Sequence, residues 1–141
     1  MRTESRAVLL VVGCLMAILP LGLAGCGETG PATYPVSGRV VLPDGTPATH
    51  GIVEFRTTRE DETVINAHGQ IQSDGTFHVS TYGDNDGAVP GEHQVILVSP
   101  AVDDGAPATQ PIFARKYRDY STSGLSVRIE PGENNVVIEL E

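Results

Sequence analysis

Past Thr33, apolar side chains recur at every second position, in short runs that turn-forming residues cut off. Val36, Gly38, Val40 and Leu42 alternate with Ser37, Arg39 and Val41. Successive side chains of an extended strand point to opposite faces, so a period of two specifies a strand with one buried side. The same reading gives strands over 34–42, 51–57, 64–72, 76–81 and 91–99, the third weaker than the others and with Gly69 as a candidate break. Two more follow from the alternating sets Leu125, Val127, Ile129 and Val136, Ile138, Leu140. Val53, Phe55, Phe77 and Val79 are expected to face inward. The run 91–99 is apolar on both sides, Val95 and Leu97 on one and Ile96 and Val98 on the other, which implies a central strand with partial outer cover. Seven short strands without an amphipathic helix specify an all-β sandwich.

The punctuation between strands has a physical mechanism. Proline presets φ, glycine admits positive φ, and aspartate bonds to the backbone two residues on. Pro43-Asp44-Gly45-Thr46-Pro47, Ser73-Asp74-Gly75 and Pro131-Gly132-Glu133-Asn134-Asn135 are such turns. The segment 100–111 is a long loop with three prolines, and 112–123 reads as irregular or as a single helical turn.

Ahead of these strands lies a segment of different character. Arg2 and Arg6 precede an uncharged stretch with the apolar core Val8-Leu9-Leu10-Val11-Val12. Pro20 and Gly22 interrupt it just before Leu23-Ala24-Gly25-Cys26. This is the layout of an export signal, and the interruption argues against a retained spanning helix. The four last residues resemble a bacterial lipobox, which implies cleavage before Cys26, lipidation of Cys26 and attachment to a membrane on the exported side, in the periplasmic or outer-membrane leaflet. The expected organisation is a signal peptide over 1–25, a lipidated tether over 26–33 and a β-sandwich domain over 34–141. The seven residues after the cysteine, fully extended, reach about 25 Å.

Composition narrows the class of function. Cys26 to Glu141 is 116 residues, enough for one domain. Taking Arg2, Arg6 and Glu4 from nine basic and eighteen acidic residues leaves seven and seventeen, a balance of −10. That argues against nucleic acid as a partner and against direct adhesion to anionic lipid. The other cysteine, Cys14, lies in the leader, so the apolar core must hold the domain without a disulfide. Tryptophan is absent, which weakens a sugar-stacking surface.

The order Val36-Ser37-Gly38-Arg39-Val40, Pro43-Asp44-Gly45-Thr46-Pro47, Gly51-Ile52-Val53-Glu54-Phe55 continues with Gly69-Gln70-Ile71 and Ser73-Asp74-Gly75-Thr76-Phe77. Pro90-Gly91-Glu92-His93-Gln94-Val95 completes it. Together these resemble a carboxypeptidase regulatory-like domain over about 34–140, of the kind found in small bacterial lipoproteins. The resemblance implies the Greek-key, transthyretin-like (prealbumin) form of the seven-strand sandwich. It implies no catalytic centre, because in metallocarboxypeptidases this module accompanies the zinc enzyme.

Candidate sites are few. Ile112-Phe113-Ala114-Arg115-Lys116-Tyr117-Arg118 is the basic-aromatic cluster of an acidic chain. Phe113, Arg115, Lys116, Tyr117 and Arg118 are a candidate docking site for an envelope protein or polysaccharide; packing of the two rings over an open end of the sandwich is the stronger reading. His50, His68, His78 and His93 lack zinc-motif spacing, and no cofactor or metal is expected. Asp84-Asn85-Asp86-Gly87 resembles part of a calcium loop, but His93 stands where the bidentate glutamate belongs, which favours a solvated turn. The expected function is a non-catalytic, lipid-anchored binding or structural module of the cell envelope. The alternatives are an envelope carbohydrate-binding accessory domain and a small hydrolase of the hydroxyisourate hydrolase type; Tyr117-Arg118-Asp119-Tyr120-Ser121 only superficially resembles the terminal tetrapeptide of that enzyme.

Overall fold

The computed structural model describes residues 30–99 and 112–141. Their seven strands are β1 (Val36–Val41), β2 (Ile52–Thr58), β3 (Val64–Gln70), β4 (Thr76–His78), β5 (Gly91–Val98), β6 (Leu125–Ile129) and β7 (Asn134–Glu139). One 3-10 turn, η1 (Arg115–Arg118), precedes β6. The strands form a three-stranded sheet in the order β4-β1-β7 and a four-stranded sheet in the order β3-β2-β5-β6. The pair β1–β7 is parallel, with Val36 opposite Asn134 and Val41 opposite Glu139; every other pair is antiparallel. Contacts of β3 with β4 and of β6 with β7 stack the sheets into a sandwich.

The centre of the core is drawn from the set that the alternation specified, joined by Ala48, Ala67, Ile71, Ala88, Phe113 and Tyr117. Val40, Val53, Phe55, Phe77, Val79, Val95 and Leu97 are fully enclosed. Phe55 and Phe77, from opposite sheets, meet with ring centroids 6.1 Å apart, within the range of favourable aromatic pairing. Gly38 makes this possible: a Cβ on its inner side would run into the Phe77 ring and the Val136 carbonyl. Ile96, on the outer side of β5, is also buried, as its two-sided apolarity required.

Three of the chain reversals are the same five-residue loop. In Leu42–Thr46, Arg59–Thr63 and Gln72–Thr76 the first amide donates to the fifth carbonyl and the fourth amide donates to the first carbonyl. In each, the central aspartate (Asp44, Asp61, Asp74) accepts the threonine amide through Oδ1 at 3.0 Å. This is the geometry of a turn closed by a residue in the left-handed region. Gly45 (φ 82°) and Gly75 (φ 84°) occupy that position in two loops, and Glu62 (φ 64°) occupies it in the third. These bonds hold the Asp44, Asp61 and Asp74 carboxyls below their ordinary value, the threonine bonds being the largest cause in each.

Two expectations require correction. Gly69 does not break β3; it pairs with Val53 inside the strand, and its missing side chain admits β4, whose His78 carbonyl would lie 2.6 Å from a Cβ there. The strand expected over 76–81 ends at His78. Val79 still donates to Val36, but Ser80 exchanges both of its backbone bonds with His68 of the other sheet. The chain thus changes sheets while its side chains keep alternating.

Candidate functional site

The side where β3 and β4 meet brings together chemistry that the sequence scatters. His68 lies on the exposed side of β3, His78 ends β4, and His50 stands in the loop that enters β2; all three are exposed. With Gln70, Gln72, Ser80 and Asn85 they line an open groove of about 650 Å³. The local bonds fix its wall. Thr49 Oγ1 lies 3.1 Å from His50 Nδ1, and the Asn85 amide donates to Ser80 Oγ at 2.9 Å. Gln72 Nε2 donates to the Gln70 carbonyl at 3.3 Å. Imidazole, carboxamide and hydroxyl groups on one open surface can exchange hydrogen bonds with a polar ligand. Among the described residues no three His, Cys, Asp or Glu side chains are arranged to hold a metal ion.

The fourth histidine lies elsewhere. His93 points inward from β5 and is fully buried, with its ring edge-on to Phe55 at 6.2 Å. Its Nε2 lies 2.8 Å from the Val89 carbonyl, which assigns the proton to Nε2 and leaves Nδ1 without a partner. Burial holds its pKa below the ordinary histidine value, although the Val89 carbonyl and the Glu92 carboxylate act in the opposite direction.

The loop that resembles part of a calcium site is organised around its own aspartate. Asp86 accepts the Thr81 amide on one oxygen (2.7 Å) and the Tyr82 and Gly83 amides on the other (2.9 and 3.1 Å). Partial burial raises the carboxyl pKa, and these amides outweigh it, so the net shift is downward. Both oxygens are committed to the turn.

The basic-aromatic cluster divides by chemistry. Phe113 and Tyr117 belong to the core, 1% and 3% exposed, while Arg115, Lys116 and Arg118 face solvent. Phe113 closes the sandwich against Gly51, where a Cβ would lie 2.6 Å from its ring. Lys116 Nζ stands 4.7 Å from the Tyr117 ring centroid. The surface offered here is therefore cationic, without the rings. Nearby, the Arg56 guanidinium lies 4.3 Å from the Tyr120 ring centroid, on the outer side of the four-stranded sheet. Burial and the Glu54 carboxylate raise the Tyr120 pKa.

Cys26, the signal peptide over 1–25 and the loop over 100–111 lie outside the described residues. The histidine groove was not apparent in the sequence, because its three imidazoles come from separate segments and meet only where the chain changes sheets at Ser80. Comparison with protein-family models, with curated proteins and with solved structures finds no match to this chain.

Proposed function

We propose that this protein is a lipid-anchored module of the cell envelope that binds or braces a partner without catalysing a reaction. The observation that carries the reading is Leu23-Ala24-Gly25-Cys26 at the end of an uncharged stretch, a short tether away from β1. Two acyl chains on one cysteine suffice for stable attachment, since each buried methylene contributes about 0.8 kcal/mol. The finer fold is a transthyretin-like, Greek-key domain of the carboxypeptidase regulatory-like kind. Seven strands in sheets of three and four, within the span of that resemblance, support it. His93 is enclosed and bonded to backbone, while the exposed histidines offer a polar ligand hydrogen bonds across an open groove.

Replacing Cys26 with Ala is expected to give an unprocessed or soluble product in cells. A Cys26→Ala chain that still fractionates with membranes at the mature mass would overturn the anchor. Turnover of hydroxyisourate by the purified domain would overturn the non-catalytic assignment.

The groove of His50, His68 and His78 favours a second reading, an accessory domain for envelope polysaccharide, because its lining is rich in groups that bond to hydroxyls. A glycan array probed with the parent domain and with His68→Ala tests it. Binding that His68→Ala weakens supports this reading, and an array without signal ends it.

A further inference from the structure

We propose that the domain rests on the bilayer through one particular surface, formed by Pro31, Val64 and Tyr82, with the lipid headgroup layer as its partner. This rests on the lipid anchor at Cys26. Val64 and Tyr82 are two of the three large apolar side chains exposed among the described residues, 50% and 41%. They share a single open hollow of about 620 Å³ with Gly30, Pro31 and Arg59. Gly30 lies against the Tyr82 ring so closely that a Cβ on it would stand 2.8 Å from Cζ.

The tether length turns this patch into an orientation. Cys26 is four residues before Gly30, and four links of extended chain reach at most about 14 Å. Acyl chains on Cys26 lie in hydrocarbon, and the headgroup layer above it is about 5–8 Å deep. Gly30, and with it the Tyr82 ring, is therefore held at or just above the headgroups. Tyrosine favours that boundary, where its ring is shielded and its hydroxyl hydrated. Arg59 stands beside it, ion-paired with Asp61 at 3.9 Å. Asp61 lines the hollow, and Glu60, Glu62 and Asp84, all exposed, stand within two residues of its lining along the chain, so the rim is acidic. Such a rim suits zwitterionic headgroups and is repelled by anionic ones. The histidine groove lies at the other end of the same strand edge, since β3 runs from Val64 to Gln70, about 20 Å at the rise of a strand.

The chain has no tryptophan, so a single introduced one reports its own surroundings. The mature lipidated protein, purified from membranes, is reconstituted into phosphatidylcholine vesicles containing a brominated lipid. The variants are Val64→Trp, Tyr82→Trp and, as control, Val137→Trp. Val137 is 64% exposed on β7, which lies at the opposite edge of the sandwich from β3. Blue-shifted emission that bromolipid quenches at positions 64 and 82, but not at 137, is the expected result. Replacing part of the phosphatidylcholine with phosphatidylglycerol is expected to lessen the quenching. Equal emission at all three positions, in protein that sediments with the vesicles, overturns the orientation alone. Protein that fails to sediment overturns the anchor and the orientation together.

Discussion

The Tyr117 hydroxyl makes two backbone bonds to one residue, donating to the Glu141 carbonyl at 3.0 Å and accepting its amide at 2.8 Å. A buried ring from η1 is thereby fastened to the residue that follows Leu140, whose own amide bonds to Val41 of β1. One side chain links the segment after residue 111 to the closing strand of the three-stranded sheet.

Tyr117→Phe keeps the ring and removes both bonds. A lost bond that leaves a shielded backbone group without a partner costs about 1–3 kcal/mol. The expected outcome is a loss of that size in urea unfolding, with the denaturant slope unchanged. A midpoint equal to that of the parent would show that water replaces the hydroxyl without cost.

Glu62 holds in its loop the place that Gly45 and Gly75 hold in theirs. An L-residue in the left-handed region costs about 1–2 kcal/mol relative to its preferred conformations, and part of this returns when glycine loosens the unfolded chain. Glu62→Gly is therefore expected to stabilise the domain by about 0.5–1 kcal/mol. Gly45→Ala, where a Cβ meets nothing within 4 Å, is expected to destabilise it through conformation alone. Gly75→Ala should cost more, because its Cβ would also stand 2.7 Å from that of Pro47. Thermal melts of the three variants check the ordering, and a Glu62→Gly chain that melts below the parent contradicts it.

These loops also show how far the sequence could be read. Asp-Gly-Thr at 44–46 and 74–76 announces a tight reversal, because each residue type has a distinct role in it. Asp61-Glu62-Thr63 builds the same reversal without glycine, so it reads only as a charged loop. Alternation, with the two-sided apolar run at 91–99, identified the seven strands and the inward set around Phe55 and Phe77, since a period of two follows from backbone geometry. It could not give the strand partners. Val79 keeps its inward place while Ser80 leaves β1 for β3, so the end of β4 was invisible. The histidine groove depends on that same crossing. Phe113 and Tyr117 could be read as packing residues because large rings beside cations bury the ring and solvate the charge.

His93 gives the fold a pH dependence in a window of its own. Folding lowers its pKa, so below about pH 6.5 the unfolded chain takes up a proton that the folded chain refuses. The unfolded state then binds more protons, and stability falls as the pH falls, by at most about 1.4 kcal/mol per unit from this group. The aspartates of the loops also have lowered pKa values. Their stabilising contribution is complete above their ordinary value near 3.8 and is lost only as the pH falls below it. Between pH 7.5 and 5 the parent is thus expected to lose stability on acidification, and His93→Leu is expected to lose less. Parallel curves of midpoint against pH for the two proteins would exclude His93 as the source.

Asp86 closes the loop between β4 and β5 by taking three amides on one carboxylate. Asp86→Asn keeps the size but leaves one oxygen and a donor facing those amides, so at least one of them loses its acceptor. A bond to a charged group contributes about 1.5–3 kcal/mol, and that range is the expected destabilisation. The amides of Thr81, Tyr82 and Gly83 should exchange faster with solvent in the variant, while Val53 and Leu97 keep the protection of the core. The lowered pKa of Asp86 adds a second signature: the difference between parent and variant should shrink as the pH falls through the folded value and the carboxylate is protonated. A difference that persists unchanged in acid would mean that the loop depends on the shape of the side chain and not on its charge.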